Sequence, residues 1–525
     1  MNEMMEDAVQ DLIRKYGRAP LNPAFVMVGD KDPNGPAAYF RENGVDRTIT
    51  YGELVVASAR WARYLRQAGV EAGTRVAGFL PKGPALLSLA LGVWRLGAIY
   101  VPLFTAFGPD AVGYRLDHSG AHMVVTTPDL ATKIPEDTKA RVATVGAIRS
   151  ALDPLGVDDW VLRTPDDPFI LIYTSGTTGR PKGVPMPIRM LSVIEAYMRW
   201  GLDVQPNGRY WNLADPGWAY GLAFALVGPW LIGQSNYWFD QPFRPDDAID
   251  WLAHWGITHF AAAPTAYRAI RAQGLVLPST VRALSSAGEP LNPAVSAWAE
   301  ETVGVPILDH YGQTEAGMPI NNHRAPELRG PLKPGSMGRA MPGIRAVVLD
   351  DDAAELPPGQ DGHLAIDVHN SPLFSFRGYY LDPEATESRF VGQGRYYLTG
   401  DEASMDQDGD FFFTSRSDDV ILTAGYRVGP FEVESVLSTH PAVAESAVVG
   451  VTDELRGQAI KAFVVLRPGF EASPALATEL QSCVRDQFAK TAYPRQIAFV
   501  ASLPKTPSGK IQRFLLRQED DSPRA

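Results

Sequence analysis

The sequence is poor in cysteine, and this scarcity excludes several kinds of protein. Cys483 is the only cysteine in 525 residues, so neither an intrachain disulfide framework nor a site built from several cysteine ligands can form. Leu476, Leu480, Val484 and Phe488 share a helical spacing with Cys483. This spacing predicts that the thiol lies in a helix core and is not a nucleophile.

Long apolar runs and an excess of positive charge are also missing. The most apolar stretch, residues 219–233, is short and broken by glycine and proline, so it does not predict a membrane span. The segment MNEMMEDAVQDLIRKYG at the N-terminus is charged and lacks the apolar centre of a signal peptide. A net charge of −12 argues against nucleic acid as the main partner. We therefore expect a cytoplasmic protein with no membrane span and no nucleic-acid partner.

What the chain does contain is the alternation typical of an α/β protein. Helices and strands alternate in the first part of the chain, which predicts βαβ units and mostly parallel sheets in a large N-terminal domain. At 525 residues the chain is too long for a single core. The predicted elements here are an amphipathic helix over 51–70, an apolar helix over 86–96, and strands over 75–80, 98–102 and 122–127.

The organisation changes near residue 417, where a polar passage surrounds a short predicted strand over 411–413. A small α+β unit of about a hundred residues, a usual size for a domain, follows it. Its predicted elements are helices over 431–439 and 474–490 and strands over 443–449, 460–466 and 496–500. We expect a core domain over 1–417, a mobile C-terminal domain over 418–525, and a polar, disordered tail from Gln518.

Residues 173–183, YTSGTTGRPKG, form the strongest candidate site. They follow an apolar run over 168–172 that predicts a buried strand. The glycines let backbone N–H groups approach a ligand, and the hydroxyls and lysine suit phosphate oxygens. The alternative is a flexible surface turn, which rarely follows a core strand with an arginine and a lysine placed in this way. The candidate phosphate ligands are Thr174, Ser175, Gly176, Thr177, Thr178 and Lys182.

This loop is not a Walker A motif. When the motif is counted from Gly176, Pro181 stands where the second glycine must be. Pro185 and Pro187 disfavour a helix directly after the loop. We therefore predict a phosphate loop without the helix N-terminus that completes a P-loop.

Two more polar clusters follow predicted strands, over 281–286 and 305–309. They are AGEP at 287–290 and HYGQTE at 310–315, and open α/β sheets bind ligands at such strand ends. Glu315 and Thr314 suit Mg²⁺ and a phosphate oxygen of ATP, and Tyr311 suits an adenine face. The alternative is a helix N-terminus with Thr314 and Glu315 in its first turn.

Taken in order, these motifs resemble those of the adenylate-forming superfamily, which contains acyl-CoA synthetases, aryl-CoA ligases, luciferases and adenylation domains of peptide synthetases. The resemblance runs from about residue 25 to 515 and includes TGD at 399–401, SRSDD at 415–419, GYRVG at 425–429 and PKTPSGK at 504–510. The DPGW at 215–218 and Asp418 resemble acetyl-CoA and medium-chain acyl-CoA synthetases. This implies an AMP-forming acyl-CoA synthetase, an acid–thiol ligase that uses ATP, CoA and Mg²⁺.

The resemblance also implies a role for each motif residue. For the nucleotide it implies Gly288, Glu289 and Pro290 at the adenine pocket, Asp309 on the exocyclic amine, Tyr311 and Gln313 at the adenine motif, Thr314 on phosphate, Glu315 on Mg²⁺, and Asp401 with Arg416 on the ribose. For the mobile domain it implies Asp418 as hinge, Gly425 at the pantetheine tunnel, Arg427 on a phosphate, Arg485 on the CoA 3′-phosphate, and Lys510 between the substrate carboxylate and the α-phosphate.

The acid pocket is expected between Trp218, Ala219, Tyr220, Ala287 and Gly312. Acetyl-CoA synthetases carry a tryptophan where this chain has Gly312, so the resemblance implies an opened pocket and short-to-medium-chain acids. Asp215 falls in a backbone turn by the same resemblance.

Four other interpretations remain open at this point. They are an aryl-CoA ligase, an enzyme that loads a carrier protein, a luciferase-like oxidoreductase and a non-catalytic nucleotide-binding protein. Relatives are regulated by acetylation of the C-terminal lysine, which implies a lysine acetyltransferase and deacetylase acting on Lys510.

Overall fold

The structure is a computed structural model that describes residues 3–42, 44–146, 160–174, 181–417, 419–423, 426–453, 456–488, 493–505 and 511–521. Of the predicted site residues, Ser175, Gly176, Thr177, Thr178, Asp418, Gly425 and Lys510 lie outside these ranges, and only the backbone of Arg427 is described.

The described α-helices are Glu3–Gly17, Tyr51–Gln67, Pro84–Arg95, Pro109–Ser119, Pro128–Ala131, Leu191–Ala196, Ala219–Gly221, Gly228–Leu231, Pro245–His254, Pro264–Ala272, Pro293–Val303, Pro383–Glu387, Pro430–Leu437, Pro474–Gln487 and Arg513–Asp521. π turns lie at Phe25–Gly29, Tyr197–Gly201 and Leu222–Val227, and 3₁₀ turns at Ile188–Met190 and Val368–Asn370. None of these helices combines the length and apolarity needed to cross a membrane.

The described strands are β1 Pro36–Glu42, β2 Val45–Thr50, β3 Arg75–Phe79, β4 Ile99–Pro102, β5 Met123–Thr126, β6 Arg141–Thr144, β7 Pro168–Thr174, β8 Lys182–Pro187, β9 Tyr210–Asn212, β10 Asn236–Trp238, β11 His259–Ala262, β12 Ala283–Ala287, β13 Ile307–Gln313, β14 Gly317–Asn321, β15 Ser336–Ala340, β16 Ala346–Leu349, β17 Asp361–Asp367, β18 Phe390–Val391, β19 Tyr396–Met405, β20 Phe411–Arg416, β21 Ile421–Thr423, β22 Tyr426–Val428, β23 Val443–Asp453, β24 Gly457–Leu466 and β25 Gln496–Phe499.

Two large sheets build the first part of the chain. One has the order β6-β5-β3-β4-β7-β8 and is parallel except for the β7–β8 pair. The other contains a parallel run, β9-β11-β12-β13, followed by antiparallel strands β14, β15, β20, β19, β17 and β16. The α/β class with parallel sheets is therefore confirmed, and the antiparallel half of the larger sheet is an addition that the helix–strand alternation did not reveal.

Local sequence accounts for the first amphipathic helix. Thr50 accepts a hydrogen bond from the backbone N–H of Glu53, and the Glu53 carboxylate accepts one from Thr50 N–H, which closes a capping box. Leu54, Trp61 and Leu65 then point into the core. The predicted helix over 51–70 is confirmed, with its end at Gln67.

The N-terminal helix Glu3–Gly17 is clamped to the interior of the large domain. The side chain of Glu195 is fully buried and receives the Tyr16 hydroxyl and the Lys15 ammonium, the latter at 2.9 Å from Oε2. Arg199 pairs with the same carboxylate. A buried carboxylate needs such partners, so this cluster fixes the helix Leu191–Ala196, which leads directly into Tyr197.

The last hundred residues form a separate five-stranded sheet, β22-β21-β24-β23 with β25 beside β24. Helices Pro430–Leu437 and Pro474–Gln487 cover one face, and Leu503 and Leu516 pack on the other. The predicted α+β unit is confirmed, whereas the predicted disorder from Gln518 is wrong as far as Asp521, because the last helix continues to that residue. Cys483 is half-buried rather than central, since Leu476, Leu480 and Val484 fill the core face.

Candidate active site

A β-hairpin carries the predicted phosphate loop. β7 and β8 are antiparallel with Thr174 opposite Lys182, so the loop joins two paired strands. The element after the loop is the strand β8, which confirms the prediction that no helix follows the loop directly. The base of the loop is supported by Tyr114, whose hydroxyl donates to the Pro181 carbonyl at 2.9 Å. His118 Nδ1 lies 3.0 Å from the Tyr173 hydroxyl.

Thr314 and Glu315 lie in the turn between β13 and β14. Because β13 runs to Gln313 and β14 starts at Gly317, the alternative of a helix N-terminus at these residues is wrong. Gly317 takes a φ of +67°, which turns the chain back sharply. Glu315 is half-buried, and its Oε1 accepts the Tyr379 hydroxyl at 2.8 Å.

Tyr379 connects this turn to the base of the phosphate loop. The Lys182 ammonium lies 5.0 Å from the centre of the Tyr379 ring, within the range of a cation–π contact. Burial and the charge of Glu315 raise the pKa of Tyr379, so its hydroxyl keeps its proton and donates. Tyr379 was missed by the sequence analysis, because an aromatic residue in RGYY belongs to no recognisable motif.

Three donor groups contact the carboxylate of Asp401, which lies in the antiparallel half of the large sheet. It is 4% exposed, and its Oδ2 accepts the Tyr311 hydroxyl and the Gln313 side-chain amide, the latter at 2.9 Å. Arg416, its direct cross-strand neighbour, lies 3.2 Å from Oδ1. The structure therefore brings together four of the predicted nucleotide residues from β13, β19 and β20.

Asp309 ties the loop after β12 to β13. Its Oδ2 accepts the backbone N–H of Leu291 at 3.1 Å, directly after Pro290. Gly288 takes a φ of +97° at the start of this loop, and Glu289 pairs with Arg268 at 3.1 Å. Burial raises the pKa of Asp309 to about 7, against the opposing effect of the two backbone N–H groups that it accepts.

The predicted acid pocket lies between two π turns. Trp218, Ala219 and Tyr220 are half-buried and lead into the π turn Leu222–Val227. The π turn Tyr197–Gly201 packs beside it, with Tyr197 against Phe224 at 4.6 Å between ring centres. Ala287 is 5% exposed and belongs to the same apolar cluster. π turns are frequent at functional sites because they reorient side chains locally.

Gly312 does not open the large volume that its comparison with tryptophan suggested. A Cβ at this position would lie 2.2 Å from Met318 Sδ and 2.4 Å from the backbone oxygen of Gly317. The expectation of free space is therefore wrong at this point, because Met318, 3% exposed, fills it. Met318 was missed because an apolar residue in a strand pattern indicates core packing only.

Asp215 forms a turn, as predicted, and has a partner that the sequence did not reveal. Its Oδ1 accepts the backbone N–H of Gly217 at 2.8 Å. Its Oδ2 lies 3.8 Å from the ammonium of Lys82, in the loop after β3. Burial raises the pKa of Asp215 and lowers the pKa of Lys82, and each charge opposes the effect on the other.

The C-terminal unit anchors its last helix by ion pairs. Arg513 contacts the Glu434 carboxylate at 2.8 Å and Asp419 at 3.5 Å, and Arg517 contacts Asp419 at 2.9 Å. Arg485 lies on an exposed helix face and pairs with Asp486 at 2.9 Å. The structure does not bring Arg485 to the residues around Asp401 by any described contact.

Comparisons with known proteins identify the family. An AMP-binding enzyme family model matches residues 26–380, and a model of the AMP-binding enzyme C-terminal domain matches residues 432–510. The chain is 39% identical to acetyl-coenzyme A synthetase of Bacillus subtilis (strain 168), over 92% of this chain and 87% of that protein.

Solved structures resemble almost the whole chain. The crystal structure of Brucella canis acyl-CoA synthetase is 43% identical, with a TM-score of 0.76 over 98% of both chains. MatB from Rhodopseudomonas palustris is 28% identical over 95% of this chain and 99% of that one, with a TM-score of 0.85 in its ATP-bound form and 0.76 in its apo form. Because the family match covers more than half of its residues, the chain belongs to the AMP-binding enzyme family, among the acyl-CoA synthetases.

Proposed function

We propose that the protein is an AMP-forming acyl-CoA synthetase that joins a short-to-medium-chain carboxylic acid to CoA at the expense of ATP. It is thus an acid–thiol ligase. The observation that carries this proposal is the cluster around Asp401, where Tyr311, Gln313 and Arg416 converge beside the Glu315 turn. An aryl acid is the second candidate, since Phe104, Phe107 and Trp218 pack together at the proposed pocket.

In the first proposed step, a carboxylate oxygen of the acid attacks the α-phosphorus of ATP, and the bond to the β-phosphate oxygen breaks. Pyrophosphate leaves and acyl-AMP remains. Asp401 and Arg416 hold the ribose, Asp309 accepts from the adenine amine, and Thr174 and Lys182 contact phosphate oxygens together with Ser175, Gly176, Thr177 and Thr178. Lys510 offsets the charge that gathers on the α-phosphate.

In the second proposed step, the sulfur of CoA attacks the acyl carbon and the bond to the AMP oxygen breaks. AMP leaves with the electron pair, and the thiol proton passes to solvent. Gly425 borders the pantetheine path and Arg485 is assigned to the CoA 3′-phosphate. Since one site serves both steps, we assign residues 418–525 to a mobile domain that rotates about Asp418 over the core at 1–417.

Glu315 and Thr314 fit a magnesium ion bound to ATP. Mg²⁺ prefers oxygen ligands and is usually held by one or two carboxylates together with substrate phosphates and waters. The Tyr379 hydroxyl donates to Oε1 of Glu315, so Oε2, for which no contact is seen among the described residues, would hold the ion, and the hydroxyl of the preceding residue, Thr314, would offer a neutral oxygen. When bound, the ion would neutralise charge on the phosphates.

The higher TM-score with ATP-bound MatB than with its apo form supports a domain arrangement suited to the first step. Both comparisons involve one protein at the same identity and coverage, so the difference in TM-score reflects conformation rather than sequence.

We also propose that acetylation of Lys510 by an acetyltransferase, reversed by a deacetylase, turns the first step off, because it removes the lysine charge. The cytoplasm is the proposed location.

ATP–pyrophosphate exchange, measured over a panel of carboxylic acids with and without CoA, tests this function. We expect exchange that depends on acid without CoA, and thioester and AMP when CoA is added. Acid-dependent exchange with no reaction toward free CoA would favour an enzyme that loads a carrier protein. Exchange restricted to benzoate-like acids would favour the aryl-CoA ligase.

A further inference from the structure

A chain of hydrogen bonds begins at a backbone carbonyl and ends at the wall of the proposed acid pocket. His310 Nε2 lies 3.2 Å from the carbonyl oxygen of Asn322, and His310 Nδ1 lies 2.7 Å from the Tyr197 hydroxyl. The Tyr197 hydroxyl in turn lies 3.0 Å from the Tyr220 hydroxyl. Tyr197 is fully buried and His310 is 2% exposed, whereas Tyr220 keeps part of its surface accessible.

The Asn322 carbonyl, at the buried end of this series of hydrogen bonds, determines which group donates in each of them. A carbonyl oxygen only accepts, so the proton of His310 must be on Nε2. Burial lowers the pKa of His310 to about 3, which keeps the imidazole neutral with a single N–H. Nδ1 is then an acceptor, and Tyr197 must donate to it. The Tyr197 oxygen consequently accepts the proton of Tyr220.

Tyr220 is left with lone pairs and no proton to offer a ligand. Burial raises its pKa to about 12, so the phenol does not ionise. Ser285 also lies within hydrogen-bonding reach of Tyr220, and because the Tyr220 proton is already given to Tyr197, the serine hydroxyl can only donate to the Tyr220 oxygen, which leaves one lone pair for a ligand. Toward a ligand in the pocket, Tyr220 can therefore only accept a hydrogen bond, because its own proton is held by Tyr197.

We infer that the acid activated by this enzyme carries a hydroxyl group along its chain, which donates a hydrogen bond to Tyr220. A plain fatty acid would displace water from the remaining lone pair of the Tyr220 oxygen without supplying a donor, which costs binding free energy. A ketone or a second carboxylate would present lone pairs to lone pairs. A hydroxyl suits the site better than an ammonium group, because an uncharged donor costs less to bury. This inference rests on the proposed acyl-CoA synthetase function and names its substrate class.

The test compares matched acids by pyrophosphate release. The panel contains unbranched acids of three to six carbons, the hydroxy acids with the hydroxyl at each successive carbon from the second onward, and the corresponding oxo acids. For the wild type, we expect one hydroxyl position to give a kcat/KM about tenfold above that of the unsubstituted acid of equal length. Tyr220→Phe should lower kcat/KM more on the hydroxy acid than on the unsubstituted acid, so that the ratio between the two falls from about ten to about one.

Tyr197→Phe gives the sharper readout, because it leaves Tyr220 in place and frees its proton. Tyr220 can then donate, so the preference should move from the hydroxy acid to the oxo acid at the same position. Tyr267→Phe is the matched control. Its hydroxyl is also buried, but it contacts the carbonyls of Phe260 and Ser285 and takes no part in the chain, so thermal stability should fall without a change in preference.

Two results would overturn the inference. One is a wild type that favours the unsubstituted acid at every position, and the other is a hydroxy-acid preference that survives in Tyr220→Phe. Thermal melting of each variant separates a folding defect from a change in selectivity. If none of the acids in the panel, plain or substituted, drives pyrophosphate release, it is the proposed function that fails.

Discussion

Asp309 is a carboxyl group in surroundings that disfavour its charge, and this gives a prediction in pH. Its pKa in the folded protein is about 7 because of burial. If the adenine amine donates to Asp309, as proposed, binding favours the ionised form, which is the minor form below pH 7. The affinity for adenosine, which does not titrate in this range, should then rise about tenfold between pH 6 and pH 8. Isothermal titration calorimetry at pH 6, 7 and 8, about the range of the titration, measures this affinity.

Asp309→Asn is the matched variant, and it also tests the effect on stability. A carboxyl whose pKa is raised on folding binds more protons in the native state, so the free energy of unfolding falls as pH increases from about 4 to about 7. The asparagine variant should lose this slope. It should also lose the pH dependence of adenosine binding, and an unchanged dependence would reject the role given to Asp309.

The size of the acid pocket is better tested at Ala287 than at Gly312. Gly312→Trp would drive a side chain into Met318 and the Gly317 backbone, so a loss of activity would report misfolding. Ala287→Leu instead adds volume at the pocket cluster. We expect activity on acetate to persist and each further methylene of the acid to lose roughly fourfold in kcat/KM relative to wild type, from about 0.8 kcal/mol per buried methylene.

Ala287→Gly is the opposite control and should keep activity on the longer acids. A uniform loss on all acids in Ala287→Leu, acetate included, would contradict the pocket assignment.

At the residue scale, the sequence predicted which side chains gather around Asp401, because each of them lies in a motif that is a continuous stretch of the chain. It missed Met318, Tyr197 and Tyr379, because contacts between distant apolar or aromatic residues leave no local pattern.

Among the elements, the last helix begins three residues after Lys510, at Arg513. Arg513, three residues after that lysine, is 20% exposed and bonded to both oxygens of Glu434. Removing one partner of a largely buried ion pair leaves the other uncompensated, at a cost of about 3 kcal/mol. Arg513→Gln should therefore lower the midpoint of unfolding and slow acyl-AMP formation, because the helix that follows Lys510 in the chain loses its ion pair with Glu434.

Arg517→Gln provides the comparison for this prediction. Arg517 contacts only Asp419 among its described partners and lies on the same helix, so it should affect both properties less. Stopped-flow measurement of pyrophosphate release gives the rate of acyl-AMP formation, and chemical denaturation gives the midpoint of unfolding. Equal effects of both variants on acyl-AMP formation would show that Arg513 has no special connection with the lysine loop.

Element prediction succeeded where one period repeats and failed where strands depend on distant partners. The helix over 51–70 has both its cap and its apolar face in the local sequence. By contrast, the antiparallel pairing of β14 to β20 includes strands far apart in the chain, such as β15 with β20. The N-terminal helix Glu3–Gly17 was missed because its charged surface hides the spacing of Met5, Val9, Leu12 and Tyr16.

For the whole molecule, the two half-reactions should be separable by mutation. Lys510→Ala should reduce acyl-AMP formation by about 10²–10³-fold, since a positioned electrostatic donor is lost, yet it should still convert supplied acyl-AMP and CoA to thioester. Gly425→Leu should do the reverse, because a side chain there blocks the pantetheine path. ATP–pyrophosphate exchange and thioester formation are measured on both variants, and equal loss of both activities in either one would reject separate roles.

The orientation of the C-terminal unit is the whole-molecule property least accessible to the sequence. Motifs from both parts of the chain predicted that a small unit works against a larger one. Its position, however, involves contacts between residues far apart in the chain, such as Asn292 with Ser438 and Phe413 with Phe431, which leave no local pattern. The sequence therefore specifies the two units well and their relative position poorly.

The two π turns at the pocket have a consequence for how selectivity diverges among relatives. A π turn accommodates one residue more than a regular helix, and each residue of an α-helix adds a rotation of about 100°. Loss of one residue within Tyr197–Gly201 or Leu222–Val227 would restore a regular helix and swing the side chains on one side of it out of register. A deletion or insertion of a single residue in either turn should therefore change which side chains face the pocket, and with them the polarity of its wall.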